Sequence, residues 1–182
     1  GNLTPSLKDD NNTGVDSLFK VGMKTEGGKT KVVVYVKDGS KLDYEKVKLE
    51  HEVTVFITDP DGLQDSIVRI IKVQDVNEAP VVKDFTKTIA ENLPNNSVVG
   101  ELDATDPDVL NKAFSTLTYT ILENDVPFYL DSNVIKVADS DRLNYERDSV
   151  FIFHVKVSDG VNSATASVTI KLSNEGENPK II

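Results

Sequence analysis

Cysteine is absent from the 182 residues, so neither a disulfide framework nor a thiolate metal site can form. Tryptophan is absent too, there is one methionine, and the only histidines are His51 and His154. Both histidines fall on the polar row of strand-like alternations, where surface positions are expected. With no cysteine and no histidine–carboxylate–serine grouping, nucleophilic catalysis has no candidate residues, and no enzyme is expected. No glycine-rich pattern suits a phosphate. Positive charge is scarce: 20 lysines and arginines stand against 30 acidic residues, a formal charge of −10. That balance argues against nucleic acid and anionic membrane surfaces, which need clustered cations. No run approaches the ~18 apolar residues of a membrane span, so no membrane insertion is expected. No signal-peptide pattern opens the sequence, so a targeting segment is expected to lie outside it.

What the chain does have is alternation with period two. Val53, Val55 and Ile57 interleave with Thr54, Phe56 and Thr58, and Phe151, Phe153, Val155 and Val157 interleave with Ile152, His154, Lys156 and Ser158. Ala166, Val168 and Ile170 continue the pattern. Alternation of this kind places one row on a core and the other in water. Turn residues punctuate the runs at Gly27-Gly28, Asp38-Gly39, Asp61-Gly62, Pro94-Asn95-Asn96 and Asp159-Gly160. Many short strands separated by turns predict an all-β sandwich or barrel.

The sequence also repeats itself. Leu42-Asp43-Tyr44-Glu45 returns as Leu143-Asn144-Tyr145-Glu146, a shift of 101, and Asp59 returns as Asp159, a shift of 100. A unit of roughly 100 residues is the size of an immunoglobulin-like sandwich. Two units follow, over residues 1–78 and 79–182. The second runs through apolar segments at 83–89 and 98–105 before Leu117–Leu122, whereas the first opens on Leu3–Leu7, which resembles 117–121, and its Phe19 then matches Phe128. The first unit is therefore expected to lack its two N-terminal strands. It is a truncated or degenerate repeat, or one completed by strands from another chain. Tyr44 and Tyr145 are expected as core aromatics anchoring a short helical turn.

Oxygen-bearing side chains gather at the ends of segments. They occur in Asp43-Tyr44-Glu45, Asp75–Pro80, Ala90-Glu91-Asn92, Asp106-Pro107-Asp108 with Asn111 behind it, and Asp159-Gly160. Calcium takes six to eight hard oxygens from carboxylates, amides and carbonyls. Asp106 and Asp108 cannot share one face of a regular strand, but in a loop, which Pro107 favours, both can converge on one cation. Asp59-Pro60-Asp61-Gly62 reads as a turn alone.

Taken in order, LDYE, DVNEAP, AEN followed by proline, ATDPD and VSDG resemble the cadherin repeat in the form found in bacterial surface proteins. The resemblance covers residues 80–173, and 3–80 without the first two strands. It implies tandem Greek-key immunoglobulin-like (cadherin-type) sandwiches with Ca2+ held between successive repeats. It assigns Asp43 and Glu45 to the base of the first repeat. Asn77 and Glu78 would bind through their side chains, and Val76 and Ala79 through their carbonyls. From the second repeat it assigns Asp106, Asp108 and Asp159, and the Asn111 carbonyl. Because the first repeat would lack the strand carrying a bridging glutamate, one ion is expected to bind well and others weakly. At the far end of the second repeat, Asn144 and Gly176 depart from the pattern, and weak binding is expected there.

The implied role is a calcium-rigidified spacer or adhesion segment of a large extracellular or bacterial cell-surface protein. Its partners would be calcium and protein, through homophilic contacts or neighbouring repeats. A carbohydrate-binding module, with polysaccharide as partner, is the second reading.

Overall fold

The structure, a computed structural model, describes residues 2–8, 15–46, 49–109 and 114–176. It divides into two compact units, Gly1–Val76 and Asn77–Ile182. Nearly all the ordered structure is β, as the alternation and turn spacing predict.

The second unit is a complete sandwich. One sheet holds β10 (Thr118–Ile121), β13 (Val150–Ser158), β14 (Ser163–Ser173) and β7 (Phe85–Ala90), in that order. The facing sheet holds β11 (Phe128–Asp131), β12 (Val134–Val137) and β8 (Val98–Glu101), and a two-residue ladder joins β6 (Val81–Val82) to β9 (Ala104–Thr105). Neighbours pair antiparallel except β7, which runs parallel to β14 with Phe85 opposite Val168. The alternation decides what is buried. Phe153, Val155 and Val157 on β13 and Val168 and Ile170 on β14 are wholly enclosed, and Phe128 stacks on Phe153 at 5.6 Å between ring centroids. Side chains of this kind contribute about 1.5–3 kcal/mol each on burial.

Glycine at position 100 has a packing reason. A Cβ built there would come within 2.5 Å of Cζ of Phe85, so the ring of β7 lies directly on the backbone of β8 and closes that end of the core.

The first unit is the same sandwich with fewer strands. β1 (Thr4–Lys8), β4 (Glu50–Thr58) and β5 (Gln64–Lys72) form one sheet, and β2 (Phe19–Glu26) with β3 (Lys29–Val36) the other. A four-residue helical turn, α1 (Val15–Leu18), leads into β2. Gly27 and Gly28, both with positive φ (57° and 74°), make the two-residue β2–β3 turn that favours the natural twist of a hairpin. In register, β1, β4 and β5 stand where β10, β13 and β14 stand in the second unit, and β2 and β3 where β11 and β12 stand. Among the described residues nothing takes the places of β7 and β8. The core shrinks accordingly to Leu18, Phe19, Val53 and Val55.

Two expectations are corrected. His51 is not at the surface: it is only 3% exposed, lies on the core row of β4, and sets its ring edge-on to Phe19 at 5.5 Å. The alternation of β4 runs one step further inward than its polar residue suggested, because His51 matches Phe151 of β13. His154, by contrast, is exposed and pairs with Glu123. The tyrosines are the second correction. Leu143 is buried and Leu42 packs on the first core, whereas Tyr145 is 39% exposed and Tyr44 only half-buried. The leucine that closes each 3-10 turn, Gly39–Lys41 or Ser140–Arg142, is the anchor.

Neither ring nitrogen of His51 has a hydrogen-bond partner. A buried polar atom left unpaired costs about 1–3 kcal/mol. His51→Phe, the side chain the second unit uses at this register, is expected to stabilise the first unit by about 1 kcal/mol, read as a later urea midpoint.

Candidate metal centre

Within the second unit, three loops come together at one end of the sandwich. The linker Asn77–Pro80 enters β6, the segment Asp106-Pro107-Asp108 leaves β9, and Asp159 opens the turn after β13. These loops are cross-tied. Asn77 Nδ2 donates to Asp159 Oδ2 at 3.0 Å. The Glu78 backbone N–H donates to Asp108 Oδ2 at 3.0 Å, and the Asp108 N–H donates to Asp106 Oδ1 at 2.9 Å. Asp159 Oδ1 accepts the N–H groups of Val161 and Asn162, both at 2.6 Å, which fixes the turn around Gly160.

Burial at this end is unusual for acids. Asp108 is 0% exposed, Asp159 5% and Asp106 7%. Carboxylates are almost never buried without compensating charge. Neither Asp106 nor Asp159 forms an ion pair with a lysine or arginine among the described residues. Burial pushes the Asp159 carboxyl up, but the N–H of Val161, the Asn77 amide and the N–H of Asn162 outweigh it and hold the group below its ordinary value. It therefore stays ionised. Asn77 Oδ1 and Asp106 Oδ2 are buried with no hydrogen-bond partner. Oxygen acceptors without donors, next to buried carboxylates, are of the kind a hard divalent cation takes as ligands.

The unit thus brings together Asn77, Glu78, Asp106, Asp108 and Asp159. Ala79 follows Glu78 in the exposed linker. Asn111 lies outside the described residues. In the first unit, Asp43 Oδ2 accepts from Lys46 Nζ at 2.6 Å, a contact that lowers its pKa, Glu45 is half-buried, and Val76 is exposed. The turn residue Asp59 uses Oδ1 to accept the N–H groups of Asp61 and Leu63, as its reading as a turn requires. One residue escaped the sequence reading. Asn162 donates its side-chain amide to the Asn77 carbonyl at 3.0 Å and so positions the linker. Its place three residues after Asp159, in the turn, was the available signal.

At the opposite end of this unit, Glu91 is buried and takes two backbone N–H groups, Tyr145 at 2.7 Å and Glu175 at 2.8 Å. These bonds, that of Tyr145 foremost, depress its pKa. A depressed folded-state value means that the stabilisation is present above the ordinary glutamate range and is lost as pH falls through the folded value. Melting curves between neutral and acid pH should therefore show Glu91→Gln less stable than the parent at neutrality, with a flatter acid limb.

Residues 85–173 match the cadherin domain family. Cadherin-87A of Drosophila melanogaster is 30% identical over 154 residues, and Cadherin-5 of Gallus gallus 35% identical over 152. These alignments take in 78% and 76% of this chain, but the chain spans only 8% and 19% of those proteins. In fold, the chain is similar to Drosophila N-cadherin EC1-4 (TM-score 0.64) and to Protocadherin Gamma B7 extracellular cadherin domains 1–4 (TM-score 0.66). Both are 22% identical, with 94% of this chain covered and 41% and 42% of theirs. The named relatives are animal proteins. Residues 85–173 form a cadherin-like repeat, a module of the adhesion type rather than an enzyme.

Proposed function

We propose that the chain is a calcium-binding cadherin-like module of an extracellular or cell-surface protein, bacterial by its sequence signature, acting as a calcium-rigidified spacer or adhesion segment. The observation that supports this is the buried carboxylate group Asp106, Asp108 and Asp159 beside the unpaired oxygens Asn77 Oδ1 and Asp106 Oδ2. Asn77, Glu78, Asp106, Asp108 and Asp159 would supply side-chain oxygens. The Ala79 and Asn111 carbonyls, with Asp43, Glu45 and the Val76 carbonyl from the first unit, would complete the ligand set on the strength of the sequence resemblance. A bound Ca2+ supplies the charge that these acids lack and couples binding to rigidity.

Titration calorimetry with calcium, joined to small-angle scattering with and without chelator, tests the reading. Heat of binding and a more extended particle with calcium support it, and no change in either measurement defeats it. Homophilic or neighbouring-repeat contacts fit the same reading. The polysaccharide alternative gains nothing from the structure. Tyr35 and Tyr145 are the exposed rings, one in each unit, so neither unit offers a pair of neighbouring rings for stacking on sugars.

A further inference from the structure

Each strand of the hairpin β2–β3 has eight residues, whereas β11 and β12, its counterparts in the second unit, have four. The inner row of the hairpin, Phe19, Val21, Val32 and Val34, packs on the first core. Alternation therefore turns Lys20, Gly22, Lys24 and Glu26 of β2 outward, opposite Tyr35, Val33, Lys31 and Lys29 of β3. Four lysines and one acid thus share a face, in a chain whose formal charge is −10. Lys24, Lys29 and Lys31 lie in the extension that the second unit lacks. Lys24 and Lys31 stand directly opposite one another, an arrangement that destabilises a strand pair. Among the described residues the only ion pair of these lysines is that of Lys24 with Glu26, at 3.8 Å. At the matching face of the second unit Lys136 pairs with Asp131 at 2.6 Å, so its charge is cancelled. In the middle of the lysines Tyr35 lies across Gly22, where a Cβ would come within 3.3 Å of the ring. The ring stays 38% exposed, with Lys20 Nζ 5.9 Å from its centroid.

We propose that the outer face of β2–β3 docks on an anionic lipid bilayer, lying on the headgroups without inserting. The lysines set the sign of the partner. None of the four cations is an arginine, whose planar fork suits one carboxylate or phosphate held bidentately; lysine is a point charge on a flexible stem and suits a diffuse anionic surface. Its stem can lie along apolar surface while the ammonium reaches a phosphate. Val33 and Tyr35 between the lysines favour a bilayer over a soluble polyanion, because an amphipathic ring sits well at headgroup level, where one side is apolar and the other wet. The net negative charge of the chain does not oppose the contact at physiological salt. Screening over about 8 Å lets the lysine face act on its own. The contact needs no calcium.

Co-sedimentation of the whole chain with vesicles in chelator tests this, since chelator removes calcium bridges between acids and lipid phosphates. The chain should bind vesicles of phosphatidylcholine with phosphatidylglycerol, but not phosphatidylcholine alone. Binding should be lost between about 0.1 and about 1 M salt. A lysine near such a surface is worth about fivefold in partitioning, so K24Q/K29Q/K31Q should weaken binding about a hundredfold. K87Q/K156Q/K171Q removes as many exposed lysines from the second unit. It should stay within about threefold of wild type. The lysines of both triple variants are exposed, so circular dichroism should be unchanged. Tyr35→Trp supplies a single tryptophan in a chain that has none. Its emission should move to the blue on the mixed vesicles and stay in place with dextran sulfate, a soluble polyanion. No binding to the mixed vesicles, equal losses in the two triple variants, or a tryptophan that the vesicles leave unshifted would each overturn the proposal. So would a blue shift that dextran sulfate reproduces.

Discussion

Calcium at a hundred times its dissociation constant is expected to stabilise the second unit by about 2.7 kcal/mol, because a ligand that binds only the folded state adds RT ln(1 + [L]/Kd). For a domain of this size that is a rise in melting temperature of roughly 10–20 °C, measurable by calorimetry against a chelated sample. Asp108→Asn is the decisive variant. Asp108 is the most enclosed of the acids and ties the linker through the Glu78 N–H. The amide keeps the shape and removes the charge. If affinity falls a hundredfold, the same calcium concentration leaves only about 0.4 kcal/mol of stabilisation. The melting temperature in chelator should by contrast move little or rise, since one buried charge is gone. An Asp108→Asn protein that still gained the full increment with calcium would exclude this carboxylate from the ligand set.

Gly100→Val is expected to be the most damaging single change outside the metal centre. Its Cβ would meet the Phe85 ring at 2.5 Å, and the ring cannot withdraw without leaving the end of the core open. Overpacking of this kind costs about 1–3 kcal/mol, and loss of the phenylalanine contact approaches the 3–5 kcal/mol of a Phe→Ala change. Chemical denaturation should place the variant about 2–4 kcal/mol below wild type. Phe85→Leu shortens the offending side chain. Combined with Gly100→Val, it should cost less than the sum of the two single changes, because the groups share one space. Strict additivity would mean that the ring and the glycine do not constrain each other.

Much of this was legible in the residues. Period-two alternation identified the core rows of β4, β13 and β14 because each strand is buried on one face only, and a strand then shows its orientation in its own sequence. The shift of 100–101 residues between LDYE and LNYE, and between Asp59 and Asp159, carried the equivalence of strands in the two units. Phe19 and Phe128 do open equivalent strands and are both buried. What stayed hidden depended on neighbours. His51 shares the row of Val53 by spacing, but its polar ring argues for the surface, and only the structure shows it packed edge-on to Phe19. Tyr145 looks like an anchor until Leu143 is seen to fill that space. Asp65 and Arg69 read as ordinary surface charges, and only the register of β5 shows that they stand opposite Ile57 and Val53. At the candidate metal centre the acids were visible as a set. The amide of Asn162 was not, because its partner is a backbone carbonyl 85 residues away.

The parallel pairing of β7 with β14 also decides when the second unit can become whole. Phe85 and Val168 are neighbours in space but 83 positions apart along the chain. During synthesis the opening strand must therefore wait, its apolar row uncovered, until almost the last residue of the repeat has emerged from the ribosome. Contacts that distant slow folding, since the loop must close before they can form. The first unit is held by the adjacent hairpins β2–β3 and β4–β5 and by a β1–β4 pairing that spans 54 residues. Among its described pairings the longest in sequence, Thr4 with Thr58, is shorter than that of Phe85 with Val168, so the delay belongs to the parallel pairing.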